Sequence, residues 1–305
     1  MLRQWQFLSK FSPVPQPSES ETMKTSQLLS ASLLALGFLA SAAPVQAKDW
    51  KTVTIATEGA YEPWNLTLPG GKLGGFEIDM IEDLCPRMKI TCKLVVQNWD
   101  GMIAGLKAGK YDVMMDSIVI TDERKKEVAF SAPYASTSAS FVAASGKLLP
   151  EGKGDTLKLG TDAKTVRAAV EPLRAALKGK TIGIASGTVY TKFIDEHFKD
   201  IATVREYSAS ADTMLDLKAG RIDAAFDDVT LINSILAKPE NKGLAYSGPK
   251  IGGLVFGEGE ALGFRKADAD LKALFDVAIK AALADGTMKK LSLKWFKTDL
   301  TPATP

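Results

Sequence analysis

Two residues in this chain could hold the charged groups of a small zwitterion. Arg124 lies just past the run Val113-Met-Met-Asp-Ser117, and Asp228 ends the run Ala224-Ala-Phe-Asp-Asp228. A ligand carboxylate needs an arginine fork or the open N–H groups of a helix start, and an ammonium needs a carboxylate or carbonyls. Each residue also has a plainer reading, Arg124 as a surface arginine on a charged helix and Asp228 as a helix N-cap. Catalytic chemistry is harder to build. Asp227 and Asp228 are adjacent on a strand and so point to opposite faces, which rules them out as a glycosidase-type pair. The sequence offers no Ser/His/Asp set, free-cysteine nucleophile, metal cluster or Walker loop. Its one histidine, His197, sits in a charged helical stretch that reads as a solvated face. The glycine-rich Gly257–Gly263 stretch precedes a strand instead of following one, so it fails as a dinucleotide loop. These residues describe binding, with no cofactor and no metal.

The elements that must position them repeat. Leu106-Lys-Ala-Gly-Lys-Tyr-Asp-Val-Met-Met-Asp-Ser117 returns as Leu217-Lys-Ala-Gly-Arg-Ile-Asp-Ala-Ala-Phe-Asp-Asp228. Each copy reads as a helix closed by a left-handed glycine, Gly109 or Gly220, then a buried strand that stops at polar side chains. Ligands of open α/β sheets bind beyond the carboxyl ends of the strands. Two such units place Asp116 and Ser117 in one α/β lobe, and Asp227 and Asp228 in another, across a cleft.

The rest of the pattern fits two lobes. Thr52–Ala56 predicts a strand and Glu58–Gly75 a Gly/Pro-rich loop. A helix from Phe76, a strand after Cys92, a helix from Asp100 and the strand at Val113 complete a βαβαβ run. Thr121-Asp-Glu-Arg124 has a capping threonine with acids behind it, a helix start. Ser138–Ala144 reads as an extended crossing into the second lobe. A helix around Thr165–Leu177, a strand at Thr181–Ala185, a helix opened by Ser186-Gly-Thr188 and a helix after Asp228 follow. Beyond Gly248-Pro249 the chain is glycine-rich until the strand Ala261–Arg265. Leu271, Leu274, Phe275, Ala278, Ile279, Ala282 and Leu283 share one helical face, and a last helix spans Thr287–Phe296.

The first 47 residues stand apart. Met23-Lys24, the apolar run Leu28–Ala43 and Val45-Gln-Ala47 have the layout of an export signal cleaved after Ala47. The run is about 16 residues, short of the roughly 20 that span a bilayer. Formal charge is +2 for all 305 residues; without Arg3, Lys10, Lys24, Glu19 and Glu21 it is +1. That balance speaks against nucleic acid or an anionic membrane as partner. Both cysteines, Cys85 and Cys92, would reach an oxidising compartment, and their spacing suits a structural disulfide between helix end and strand rather than a redox pair.

Gly75-Phe-Glu-Ile-Asp79, the Cys85/Cys92 pair, Ile118-Val-Ile-Thr-Asp-Glu-Arg124 and Ala129-Phe-Ser-Ala-Pro-Tyr134 occur in this order. With them the chain, over nearly all of 48–300, resembles the periplasmic amino-acid-binding proteins of ABC importers, solute-binding protein family 3. Similarity is strongest to the lysine/arginine/ornithine and histidine binders and to their nopaline- and octopine-binding relatives. Thr57-Glu-Gly-Ala-Tyr61, Gly252-Gly-Leu-Val-Phe256 and the insertion before Gly179 look more like the opine branch. The resemblance implies a type II periplasmic-binding-protein fold, α/β and two-lobed, with two hinge crossings. Lobe one would be 48–137 plus 252–305, and lobe two 138–251. It implies a periplasmic monomer that delivers a ligand to permease subunits in the inner membrane.

Carried over by position, Arg124 would fork the α-carboxylate, helped by backbone N–H groups at Val119 and Val189 beside Thr188. Asp228 would take the α-ammonium with the Ser117 carbonyl. Tyr61 and Trp99 would sandwich the side chain, with Trp64 nearby, and Glu58 would face a distal amine. Asp116 replaces a small polar residue and adds a second acid at that end. Val119 and Val189 stand where relatives commonly carry hydroxyls. The ligand expected is a cationic amino acid such as arginine, lysine or ornithine, with an opine as the alternative. From another class, a cyclohexadienyl-dehydratase-like lyase could use the same scaffold, with Glu58 or Asp116 as its acid.

Overall fold

The computed structural model describes residues 48–144, 148–151 and 156–302; the expected export signal lies outside them. The chain opens with β1 (Thr52–Thr57), followed by β2 (Ala60–Tyr61), β3 (Asn65–Thr67) and β4 (Leu73–Gly74). Next come α1 (Phe76–Met88), β5 (Thr91–Val96), α2 (Met102–Lys107), β6 (Val113–Val119), α3 (Asp122–Glu127) and β7 (Ala129–Phe130). A second run holds β8 (Ser138–Ala144), β9 (Leu157–Lys158), α4 (Ala163–Leu177), β10 (Thr181–Ala185) and α5 (Val189–His197). It continues with β11 (Thr203–Tyr207), α6 (Ser210–Lys218), β12 (Ala224–Asp228), α7 (Val229–Leu236) and β13 (Leu244–Gly252). The chain then returns through β14 (Glu260–Phe264), α8 (Ala269–Ala284) and α9 (Thr287–Phe296).

Two main sheets result, ordered β5-β1-β6-β14-β7 and β11-β10-β12-β8-β13-β9. β1 runs parallel to β5 and β6, and β10 parallel to β11 and β12, so both copies of the repeat occupy the same place in their sheets. The repeat closes its helices as expected. Gly109 and Gly220 take φ of +73° and +68°, and the N–H groups of Lys110 and Arg221 reach back to the Gly105 and Asp216 carbonyls. That is a left-handed C-cap, at which a side chain would be strained.

Several expectations change. Glu58–Gly75 is not only loop: β2, β3 and β4 form a small antiparallel sheet. Ser138–Ala144 is more than a crossing, because β8 lies inside the second sheet between β12 and β13. The Gly248-Pro249 segment belongs to β13, whose ladder slips between Ser247 and Ile251 to admit the proline, which has no N–H to give. His197 is buried, 2% exposed, with its ring edge-on to Phe193. On α8, Leu271, Phe275, Ala278, Ile279 and Ala282 face inward, whereas Leu274 turns to solvent.

Separate cores fix the lobes. Phe76, Met80, Ile81 and Leu84 of α1 pack with Phe264, Phe275, Ile279 and Phe296; Phe141, Phe193, Phe198 and Phe226 centre the second. Cys85 and Cys92 are joined by a disulfide that links α1 to the start of β5, at the end of the sheet away from the cleft. Among the described residues no helix is long and apolar enough to cross a membrane.

Candidate ligand-binding site

The carboxyl ends of β1, β6, β10 and β12 converge on the cleft between the lobes. A pocket enclosing about 520 Å³ of empty space, its open mouth included, lies there. Glu58, Tyr61, Trp99, Asp116, Ser117, Val119 and Arg124 line it from the first lobe, and Thr188 and Val189 from the second. Two expected residues do not. Trp64 is fully buried in the first core, 4.6 Å from the Phe296 ring and 5.6 Å from Phe76, with its indole N–H on the Thr230 hydroxyl. Asp228 is 1% exposed and its oxygens are engaged. Oδ1 accepts the Thr230 backbone N–H at the start of α7, and Oδ2 accepts the Tyr190 hydroxyl at 3.2 Å. It is the helix cap of the plainer reading, and its hydroxyl partner Tyr190 lines the pocket in its place.

Local chemistry explains how the lining residues are held. Thr121 caps α3 by accepting the Arg124 N–H, fixing the helix that carries the arginine. The guanidinium then donates to the Val119 carbonyl at 2.9 Å and, across the cleft, to the Gly187 carbonyl at 3.1 Å, with the Trp99 ring 5.3 Å away. Thr188 caps α5 by accepting the Thr191 N–H, so α5 starts at the pocket wall. The ladder between β6 and β14 breaks between Met114 and Ile118, and in that break Ser117 adopts φ +48°. Such a backbone is costly for a non-glycine residue. The Glu77 carboxylate holds it by accepting the Ser117 N–H at 2.7 Å. Asn65 completes the support, donating to Asp116 Oδ1 and Glu77 Oε2 and accepting the Gly59 N–H.

A model of the bacterial extracellular solute-binding proteins, family 3, matches residues 53–298. The chain belongs to this family. This solute-binding protein is 39% identical over 272 residues to the octopine-binding periplasmic protein of Rhizobium meliloti, covering 83% of the chain and 92% of the relative. It is 36% identical over 281 residues to the L-arginine-binding protein of Pseudomonas aeruginosa, covering 91% and 98%. Among solved structures it is similar to a periplasmic His/Glu/Gln/Arg/opine family-binding protein from Silicibacter pomeroyi in complex with lysine. That likeness has a TM-score of 0.67 and 29% identity and covers 82% of this chain and all of the other. The two-sheet fold implied by the sequence is thereby shown. These relatives are binding proteins rather than enzymes, which leaves the lyase reading without support.

The pocket of this solute-binding protein is electrically polar. At one end burial lowers the Arg124 pKa to about 10, so the group stays charged at neutral pH, and no carboxylate pairs with it among the described residues. At the other end burial raises the Glu58 carboxyl, helped by the charges of Asp100 and Asp227. Asp116 is pushed well above the carboxylate range by burial, then by Glu77 and Glu58; the Asn65 amide only partly offsets this. Residues not foreseen complete the walls: Ala185, Tyr190, Ser208, Ala209 and Ser210 line the second lobe's side. Asp227 sits behind them and accepts the Tyr61 hydroxyl at 3.0 Å. Ser208-Ala-Ser210 could have been found as a small polar helix start; Tyr190 carried no signal beyond its place on an amphipathic helix.

Proposed function

We propose that this protein captures a cationic amino acid of the arginine, lysine or ornithine type and delivers it to the permease subunits of an ABC importer. One observation carries the reading: a half-buried guanidinium with no carboxylate partner among the described residues at one end of the pocket, and the carboxyls of half-buried Glu58 and buried Asp116 at the other. A ligand with a carboxylate and a distal cation neutralises both ends, and the Tyr61 and Trp99 rings supply area that attracts a cation. The arginine-binding relative and the lysine complex support the same chemistry. The lobes, 48–137 with 252–305 against 138–251, would close about the two crossings, and export would remove residues through Ala47.

One observation favours a second reading. Asp228, the expected partner of a free α-ammonium, already caps α7 and accepts the Tyr190 hydroxyl, and it does not line the pocket. An opine, whose α-amine is substituted, has less need of that partner, and the octopine-binding relative points the same way. Calorimetry with arginine, lysine, glutamine, glutamate and octopine tests both. Tight arginine or lysine binding without glutamate binding supports the first reading. Octopine tighter than arginine by tenfold or more selects the second. Tight glutamate binding removes both.

A further inference from the structure

Asp227 belongs to neither reading of the head group, yet through it the second lobe meets Tyr61 at the pocket, as Ser186 meets Trp99. It lies at the end of β12, 2% exposed. Its Oδ1 accepts the Tyr61 hydroxyl from the other lobe at 3.0 Å and the Asp228 backbone N–H at 2.7 Å. Its Oδ2 is buried without a hydrogen-bond partner among the described residues. The Tyr61 phenol is held well above its usual pKa, by burial first and then by Asp227, and so remains a donor. Asp227 is also one of the charges that raise Glu58. No cation pairs with Asp227 among the described residues; the groups that face it are Tyr61, the Ser210 hydroxyl and the Asp228 carboxylate.

From this geometry we propose that Asp227 is a positioning residue with two opposed effects on closure: its hydrogen bond to Tyr61 ties the lobes together, and its charge, added to that of Glu58, resists closure over a pocket that holds no cation. The inference deepens the reading of a distal cation and rests on it for the specificity arm alone. A carboxylate drawn into a drying cleft beside another is costly until an opposite charge joins them. A ligand cation removes that cost and leaves the tie. Neutral amino acids would gain the tie and keep the repulsion.

Two substitutions separate the effects. Tyr61→Phe keeps the ring and the charge and removes the tie. Asp227→Asn keeps an oxygen that can accept the Tyr61 hydroxyl and removes the charge. Hydrogen bonds to charged groups are among the stronger ones, so Tyr61→Phe should weaken arginine and glutamine alike, about tenfold or more, mainly through faster dissociation. Asp227→Asn should instead lower the arginine-to-glutamine affinity ratio by about tenfold. Without ligand at pH 7.5, small-angle scattering should find Asp227→Asn more compact than wild type. Equal compaction of ligand-free wild type and Asp227→Asn overturns the charge effect, whatever the ligand proves to be. Wild-type dissociation rates in Tyr61→Phe overturn the tie. A wild type that ignores arginine defeats the proposed ligand class instead, while the ligand-free scattering still decides the role of Asp227.

Discussion

Arg124 spans the cleft: its Nη2 donates to the Gly187 carbonyl of the second lobe at 3.1 Å while its Nη1 holds the Val119 carbonyl of the first. Both partners are neutral, so the positive charge is oriented but not compensated. Removing the side chain leaves a desolvated ligand carboxylate without its counter-ion. Arg124→Ala should cost about 2–5 kcal/mol of binding, read by calorimetry. Arg124→Lys should recover only part of it, because an ammonium cannot fork a carboxylate or keep both carbonyls. Undiminished affinity in Arg124→Ala would remove the carboxylate from this end of the pocket.

Asp228 is predicted to matter more for the fold than for direct contact. Its Oδ1 caps α7 and also binds the Thr230 hydroxyl, which in turn accepts the Trp64 indole N–H from the first lobe at 2.8 Å. Losing such a cap typically costs about 0.5–2 kcal/mol, and the Tyr190 hydroxyl would lose its acceptor as well. Asp228→Ala should therefore lower the urea midpoint, and Asp228→Asn, which keeps an acceptor, should lower it less. An unchanged midpoint with affinity lost would return Asp228 to the ligand.

What could be read from the residues alone was the chemistry that acts locally. Thr121 and Thr188 announce helix starts because a cap bonds two or three residues ahead, and Gly109 and Gly220 announce helix ends for a similar reason. Arg124 was marked by its place past a strand end, Tyr61 and Trp99 were found through the resemblance, and the structure brings all three to one pocket. Trp64 and Asp228 do not line the pocket, because burial depends on partners far away in sequence, Phe296 for one and Tyr190 for the other. His197 failed for the same reason, since a charged stretch can still turn one side chain inward. The ladder break at Asp116 and Ser117 needs Glu77 and Asn65 from other elements, and nothing in those two residues marks it.

The disulfide should contribute to stability without touching the ligand. It closes a loop with a sequence separation of 7, at the end of β5 opposite the pocket. The chain-entropy relation gives about 2–3 kcal/mol for a loop this short. Replacing both cysteines by serine should lower the unfolding free energy by about that amount and leave ligand affinity unchanged within twofold. A large affinity loss in a still-folded variant would mean that α1 transmits strain to Glu77 and the pocket floor.

Glu260 gives the pH dependence its sign. The residue begins β14 beside the return crossing, 2% exposed, with Oε2 unpartnered among the described residues. Burial, then the charge of Asp228, pushes its carboxyl up to about 8 from an ordinary 4.5. A carboxyl raised in the folded state favours folding fully below its unfolded value, and that contribution is lost as pH rises through the folded one. Stability of the ligand-free protein should thus decline between about pH 5 and pH 8. Asp227, raised to about 6, adds to the decline in the lower half of that window. Asp216, lowered to about 2 by Arg221 first, and Asp285, lowered to about 2 by the Thr287 hydroxyl and N–H first and then by Arg87, act with the opposite sign only below about pH 4. A gap of this size corresponds to at most about 4–5 kcal/mol, and relaxation of the crossing will reduce it. Glu260→Gln stays neutral at every pH and nearly isosteric, so its unfolding free energy in urea should fall less than that of wild type between pH 5.5 and 8.5. It should be the more stable protein at the upper end. Parallel curves for the two proteins would show that Glu260 ionises without cost, and that water reaches it where the two lobes meet.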